Sequence, residues 1–148
     1  MWADLVGESI QTKAHGIAPA TKALADKSVV GFYFSAQWCV PCREFTPVLC
    51  SMYDKITAVH PDFDVVFVSS DRTETDFAAM AAKMPFGAIP YDQDDVKTTL
   101  VDQFKVRYLP ALVFVKSNGD IIKCDGRRVV ASATSVDAIW DILQAPTQ

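Results

Sequence analysis

The stretch SAQWCVPCR, residues 35–43, separates two segments with different hydrophobic patterns. Residues 28–35 form an apolar run rich in β-branched and aromatic side chains, which predicts a buried central strand. From Pro41 to about Val59, apolar residues recur at helical spacing. This periodicity predicts a helix with a kink at Pro47, where proline removes a backbone donor. The cysteine pair therefore lies between a buried strand and the start of a helix.

The rest of the chain continues the alternation of strands and helices. Runs of β-forming residues predict strands at 63–69, 111–116 and 120–124, the last two joined by a tight turn at Asn118-Gly119. Helices are predicted at 73–83, 94–104 and 135–143, with an irregular stretch at 84–92. Residues 2–27 have a mixed pattern, with a turn at 12–16 between short strands. This order predicts a single α/β domain over residues 1–148, in which a central mixed sheet carries helices on both faces.

Charge and hydropathy argue against several classes of function. The 148 residues include 14 Lys and Arg against 18 Asp and Glu, for a net charge of −4. The basic residues form no cluster in the sequence, so we expect no nucleic-acid partner. The start of the chain lacks a leader pattern, and its apolar runs are too short to cross a membrane. We therefore expect a cytoplasmic monomer without a membrane partner.

The Cys39-Val40-Pro41-Cys42 motif is a candidate redox centre. At the amino terminus of a helix, unpaired backbone donors and about half a unit of positive charge stabilise an anion, which favours a thiolate at Cys39. Cys42 lies one turn further along, where it can attack a mixed disulfide formed at Cys39. Pro41 suits the first turn, because its missing N–H would have no partner there. The motif predicts Cys39 as the attacking thiol and Cys42 as the resolving thiol.

A zinc site is the alternative interpretation of this spacing. A structural zinc site needs two further ligands at matching spacing, and Cys50 and Cys124 do not form a second Cys-x-x-Cys pair. Both are interpreted as packing residues, with a regulatory thiol left open. We predict no metal and no other cofactor.

Residues 33–43, YFSAQWCVPCR, followed by Phe45-Thr46-Pro47, resemble the active-site segment of the tryparedoxin and nucleoredoxin branch of the thioredoxin superfamily. The resemblance continues through residues 65–69, 83–86 and 104–110 and reaches Arg127, so it covers roughly residues 28–130. It implies a thioredoxin fold and a dithiol–disulfide oxidoreductase. Members of this branch pass electrons from a low-molecular-weight dithiol, or from a reductase, to peroxidases and other protein disulfides.

The resemblance also assigns roles to residues around the cysteines. It implies a cis peptide bond before Pro110, which would pack beside the cysteines and leave the Leu109 backbone free to pair with a substrate strand. Further substrate contacts are implied for Trp38, Val40, Pro41 and Arg127. For Arg127, a solvated charge at the end of a strand is an equally good explanation.

Two more residues are assigned supporting roles. Tyr33 occupies the place where thioredoxins hold a buried acid, and it serves either the core or catalysis. This leaves the proton acceptor for Cys42 unassigned. Asp71 either orients the substrate or caps the following helix together with Thr73.

The sequence departs from the family pattern beside the second buried strand. Tryparedoxins commonly carry Trp-Asp-Glu there, whereas this chain has Ser70-Asp71-Arg72. An aromatic surface and an acidic charge are both missing, which predicts weak recognition of trypanothione, a positively charged dithiol. Val40 stands where Pro or Gly is frequent, and Ala111 follows the expected cis proline where Thr is usual. These two changes are interpreted as tuning the reduction potential and partner choice.

Two other functions fit the same motif. A redox-sensing interaction module would bind one partner and use the disulfide as a switch with little turnover. An oxidising or isomerising catalyst of a secretory compartment is disfavoured by the missing leader pattern.

Overall fold

A computed structural model describes residues 2–13, 16–122 and 125–144. Within them, six strands form one sheet in the order β2-β1-β5-β4-β3-β6. The strands are β1 (Ser9–Thr12), β2 (Gly16–Pro19), β3 (Val29–Ser35), β4 (Phe63–Ser69), β5 (Gly87–Ala88) and β6 (Ala111–Lys116). β4 and β6 have the predicted bounds, and β3 differs from its prediction by one residue.

The sheet is mixed, as predicted. β3 and β4 are parallel, and so are β4 and β5. β6 runs antiparallel to β3, and β1 runs antiparallel to both β2 and β5. Every residue of β3 is buried, which explains why its sequence is an unbroken apolar run rather than an alternating one.

Helices cover both faces of the sheet. They are α1 (Trp2–Val6), α2 (Ala20–Ala23), α3 (Val40–Val59), α4 (Glu74–Ala81), α5 (Asp94–Gln103), α6 (Gly126–Ser132) and α7 (Val136–Gln144). Alternate residues of β3 divide between two apolar clusters: Val29 and Tyr33 face α3, α4, α6 and α7, whereas Phe32 and Phe34 face α1, α2 and α5. No helix among the described residues is long and apolar enough to cross a membrane.

Several predicted elements differ from the structure. The irregular stretch contains the two-residue strand β5, which pairs with both β1 and β4. The predicted turn at Asn118-Gly119 is present, with Gly119 at φ +93°, but among residues 120–122, the described part of the strand predicted after it, only Ile121 forms a bridge to β6, at Val115. Cys124 lies outside the described residues. The sequence analysis also missed α1, α2 and α6.

The strand ends bring three loops together at one end of the sheet. β3 and β4 are in parallel register up to Ser35 and Ser69, and the Ser70 N–H donates to the Ser35 carbonyl at 2.9 Å. β6 starts with Ala111 opposite Phe34. The Cys-x-x-Cys loop after β3, the loop after β4 and the segment before β6 are therefore neighbours.

Candidate active site

Cys39 and Cys42 form a disulfide at the start of α3, with their Cα atoms 5.2 Å apart. Cys39 is the residue that caps the helix, and its Sγ accepts a hydrogen bond from the Cys42 N–H at 3.3 Å. Cys39 keeps 7% of its surface exposed, whereas Cys42 is fully buried. A partner can therefore reach Cys39 from outside, and it can reach Cys42 only through Cys39.

Two buried hydroxyl groups, those of Tyr33 and Thr46, form hydrogen bonds to the first turn of α3. The Thr46 Oγ1 donates to the Cys42 carbonyl at 2.7 Å, and the Tyr33 hydroxyl lies 2.8 Å from Thr46 Oγ1 and 3.2 Å from the same carbonyl. Tyr33 is fully buried, and burial raises the pKa of its phenol above the ordinary value of about 10. Tyr33 therefore stays neutral near pH 7 and acts as a hydrogen-bond donor beneath the disulfide. Thr46 was missed as a site residue, although it belongs to the Phe45-Thr46-Pro47 segment that carried the resemblance.

Another buried hydroxyl lies two residues along β3. Ser35 is fully buried, and its Oγ has no hydrogen-bond partner within the described residues. Strand alternation places Ser35 on the same face as Tyr33, beneath α3. The Tyr33 phenol is thus accompanied by neutral hydroxyl groups on this face of the sheet.

Asp71 braces the loop that leads into the cysteines. Its carboxylate accepts hydrogen bonds from the Gln37 N–H at 2.7 Å and from the Ser69 hydroxyl at 2.7 Å. Of the two roles left open for Asp71, capping of α4 is performed by Thr73, whose side chain accepts from the Asp76 N–H. Asp71 instead ties the end of β4 to the residue two before Cys39. No pattern in the sequence indicates this long-range bond.

The predicted substrate-contacting residues fall into exposed and buried groups. Trp38 is 54% exposed and Val40 is 53% exposed, and the Trp38 Nε1 donates to the Ser70 carbonyl at 3.4 Å. The peptide bond between Leu109 and Pro110 is cis, as the resemblance implies, with Leu109 half-buried and Pro110 buried. Pro110 directly precedes Ala111, which pairs with Phe34 near the end of β3. The cis proline therefore lies close to the start of the cysteine loop. Pro41 is exposed in the first turn of α3.

The segment before the cis proline also presents an aromatic surface that the sequence analysis missed. Tyr108 is 67% exposed. Together with Trp38 and Val40, it gives this end of the molecule three large exposed apolar side chains. Its position two residues before Pro110, within the segment 104–110 that carried the resemblance, is the signal that could have identified Tyr108.

Arg127 lies in α6. The alternative explanation, which placed its charge at the end of a strand, is therefore wrong about its position. Gly126 opens this helix because a Cβ there would lie 2.3 Å from the Leu112 carbonyl oxygen of β6. The charge of Arg127 acts on the Tyr33 phenol and opposes part of the pKa increase that burial causes.

Cys50, two turns beyond Cys42 on α3, has a different environment. It is a half-buried free thiol whose Sγ lies 3.7 Å from the Lys83 carbonyl oxygen. Burial, together with the charge of Asp54, raises the pKa of the Cys50 thiol to about 11. Among the residues that the structure describes, no group of three or more His, Cys, Asp or Glu side chains could hold a metal ion.

A mixed sheet between two helical layers, with a disulfide at the start of a helix and a cis proline directly before the neighbouring strand, defines the thioredoxin class of proteins. The family model described as Thioredoxin-like matches residues 26–121, and the chain belongs to that family.

Similarity to individual proteins points to the tryparedoxins and nucleoredoxins. Tryparedoxin of Trypanosoma brucei brucei is 39% identical over 120 residues, which cover 80% of this chain and 82% of that protein. The rice (Oryza sativa subsp. japonica) protein named "Probable nucleoredoxin 3" is 40% identical over 119 residues, or 80% of this chain, but the match spans only 25% of the rice protein. A solved structure of tryparedoxin II complexed with glutathionylspermidine is 35% identical, with a TM-score of 0.77 and coverage of 85% of this chain and 87% of that one.

Proposed function

We propose that this protein is a thiol–disulfide oxidoreductase of the tryparedoxin type. The observation that carries the proposal is the disulfide at the start of α3 between Cys39, which keeps 7% of its surface exposed, and Cys42, which is fully buried. A helix amino terminus stabilises a thiolate, and a difference in exposure separates an attacking thiol from a resolving one. The family and the tryparedoxin and nucleoredoxin relatives support the same activity.

The proposed reaction starts from the reduced dithiol. The Cys39 thiolate attacks one sulfur of a substrate disulfide, so that a mixed disulfide forms and the first substrate thiolate leaves. Cys42, once deprotonated, then attacks the Cys39 sulfur and releases the second substrate thiolate. Two electrons pass to the substrate, and the protein is left with the disulfide seen in the structure. Trp38, Val40 and Tyr108 would contact the substrate, and the Leu109 backbone would pair with its extended segment.

An external dithiol or a reductase would return the protein to the dithiol state, and protein disulfides, including those of peroxidases, would be the acceptors. The complex of tryparedoxin II with glutathionylspermidine supports a low-molecular-weight thiol as the class of donor. A reducing compartment such as the cytoplasm fits both this chemistry and the free Cys50 thiol.

A turnover experiment tests the proposal. With excess dithiothreitol, we expect catalytic amounts of the protein to reduce a disulfide protein such as insulin over many cycles, and Cys39→Ser to abolish the acceleration. A redox-switch module would instead give no more than one equivalent of reduction per chain. That stoichiometric limit would contradict the proposed activity.

A further inference from the structure

Several cations lie in the two segments that flank β6. Lys105 and Arg107 are in the segment before Pro110, and Arg127 and Arg128 are at the start of α6. The chain as a whole has a net charge of −4, so this concentration is local. Within the described part of the chain, none of the four cations lies within ion-pair distance of a carboxylate.

A groove at the start of β6 is lined by two of these cations, Lys105 and Arg107. It has a volume of about 320 Å³ and runs beside the first residues of β6. The lining includes Lys105, Arg107, Tyr108, Pro110 and Asp125. The exposed Tyr108 ring and the charged side chains therefore border the same groove as the cis proline.

The groove is held in place by the backbone on both sides. On one side, Lys105 has a φ of +55°, and the Val106 N–H donates to the Val101 carbonyl at 3.0 Å, which ends α5 and directs the chain towards Pro110. On the other side, the contact of Gly126 with Leu112 fixes the start of α6.

Two carboxylates lie near the groove, and neither forms an ion pair with Lys105 or Arg107 among the described residues. Asp125 accepts a hydrogen bond from the Arg128 N–H and so serves the amino terminus of α6. Asp102 is exposed in the last turn of α5 and forms no ion pair with Lys105 or Arg107 among the described residues. Lys105 and Arg107 thus line the groove without an ion-pair partner among the described residues, and an anionic ligand would supply one.

We propose that this groove, which we call the basic groove, docks an acidic segment of the protein whose disulfide is reduced. The inference rests on the proposed oxidoreductase function and adds a substrate class to it. A polypeptide that runs past Pro110 towards Cys39 would place its flanking side chains over Lys105, Arg107 and Tyr108. Acidic side chains there gain attraction from the guanidinium and ammonium groups, and basic side chains are repelled.

Three disulfide peptides test the substrate class. They share one intramolecular disulfide and differ only at two residues flanking one cysteine, which are both Glu, both Gln or both Lys. The rate with the reduced protein is divided by the rate with dithiothreitol for each peptide, which removes differences in intrinsic disulfide reactivity. We expect the Glu peptide to be about tenfold faster than the Lys peptide at low salt, and this ratio to fall towards one as the Debye length shrinks below about 8 Å.

A matched pair of variants locates the effect. Lys105→Gln with Arg107→Gln should lose most of the preference for the Glu peptide. Lys22→Gln with Lys55→Gln removes the same charge from exposed positions on α2 and α3, remote from the groove, and should retain the preference.

The remaining outcomes separate the inference from the proposed function. Equal normalised rates for the three peptides would overturn the basic groove and leave the oxidoreductase intact. An equal loss of preference in both double variants would assign the effect to overall charge and overturn the groove as well. Failure to reduce any of the peptides, with the cysteines shown to be reduced, would overturn the proposed function itself.

Discussion

Helix α3 carries two kinds of cysteine, and they differ because of where they lie along the helix. Its amino-terminal turn holds Cys39 and Cys42 in a disulfide, with Cys39 at the cap, where the backbone N–H groups point outward. Two turns beyond Cys42, Cys50 is packed against the core, and its thiol pKa is raised to about 11. The comparison shows that position on the helix, and not the presence of sulfur, decides which thiol can react.

The largest expected effect comes from variants that separate the roles of the two cysteines in the first turn of α3. Cys42→Ser should leave Cys39 able to attack and unable to be released, so that disulfide-linked adducts accumulate in a cell extract and disappear in dithiothreitol. Cys39→Ser should give almost none, since Cys42 is fully buried. Non-reducing gels and mass spectrometry measure the adducts. Similar yields from the two variants would contradict the division of labour.

The difference between the two regions of α3 should also appear in alkylation of the reduced protein. At neutral pH, a thiol of pKa about 11 has roughly 300-fold less thiolate than an ordinary thiol of pKa about 8.5. Limiting iodoacetamide should therefore label Cys39 and spare Cys50. The raised pKa means that Cys50 labelling should increase about tenfold per pH unit and level off near pH 11.

Peptide mapping by mass spectrometry follows both sites. Cys50→Ala is the matched control, and it should leave the labelling rate of Cys39 unchanged. Preferential labelling of Cys50 at neutral pH would contradict the assignment of the attacking thiol.

A third prediction concerns the charge of the loop after β4, which lies beside the first turn of α3. Trypanothione is positively charged and would approach Arg72, next to the Ser70 carbonyl that accepts from Trp38. Replacing repulsion by attraction at a partly screened surface changes binding by about 1–2 kcal/mol, roughly tenfold in affinity. Ser70→Trp with Arg72→Glu should therefore raise the ratio of the trypanothione rate to the dithiothreitol rate about tenfold.

The control for this charge change is a substitution in the carboxyl-terminal part of α3. Lys55→Glu alters the net charge by the same amount at an exposed position 16 residues beyond Cys39, about 24 Å along the helix, and should leave the ratio near that of the parent. An unchanged ratio in the double variant would show that residues 70 and 72 do not set the choice of reductant. The stretch at residues 84–91 would then be the next candidate.

Elements that depend on a local sequence pattern could be predicted from the sequence, whereas elements that depend on distant contacts could not. The central strands were predicted closely, since a run such as residues 63–69 is apolar enough to be identified alone. Short elements such as α1, α2 and β5 have too few residues for a period to appear. The start of α6 at Gly126 contradicts helix propensity, and its cause, contact with the Leu112 carbonyl oxygen, comes from a strand 14 residues away.

The candidate site divides in the same way. Cys39 and Cys42 form a local motif, so their position between strand and helix was predictable. The bonds that support them join distant segments: Asp71 to Gln37 across 34 residues, and Tyr33 to Thr46 across 13. No periodicity or spacing rule encodes such pairs, and only the folded chain identifies them.

The smallest expected effect compares two threonines on α3 that make the same bond in different turns. Thr46 donates to the Cys42 carbonyl at 2.7 Å, and Thr57 donates to the Tyr53 carbonyl at 2.8 Å. Replacing either by Val removes one hydroxyl donor and should cost about 1 kcal/mol of stability, measured by urea unfolding.

Only Thr46 bonds to the turn that positions Cys42 against Cys39. Because about 1 kcal/mol corresponds to roughly fivefold in rate, Thr46→Val should slow release of a mixed disulfide by up to about fivefold, and Thr57→Val should leave it unchanged. Release is followed by stopped flow after mixing the reduced protein with a disulfide peptide. Equal release rates in the two variants would show that the hydroxyls beneath Cys42 contribute to stability alone and do not position the resolving thiol.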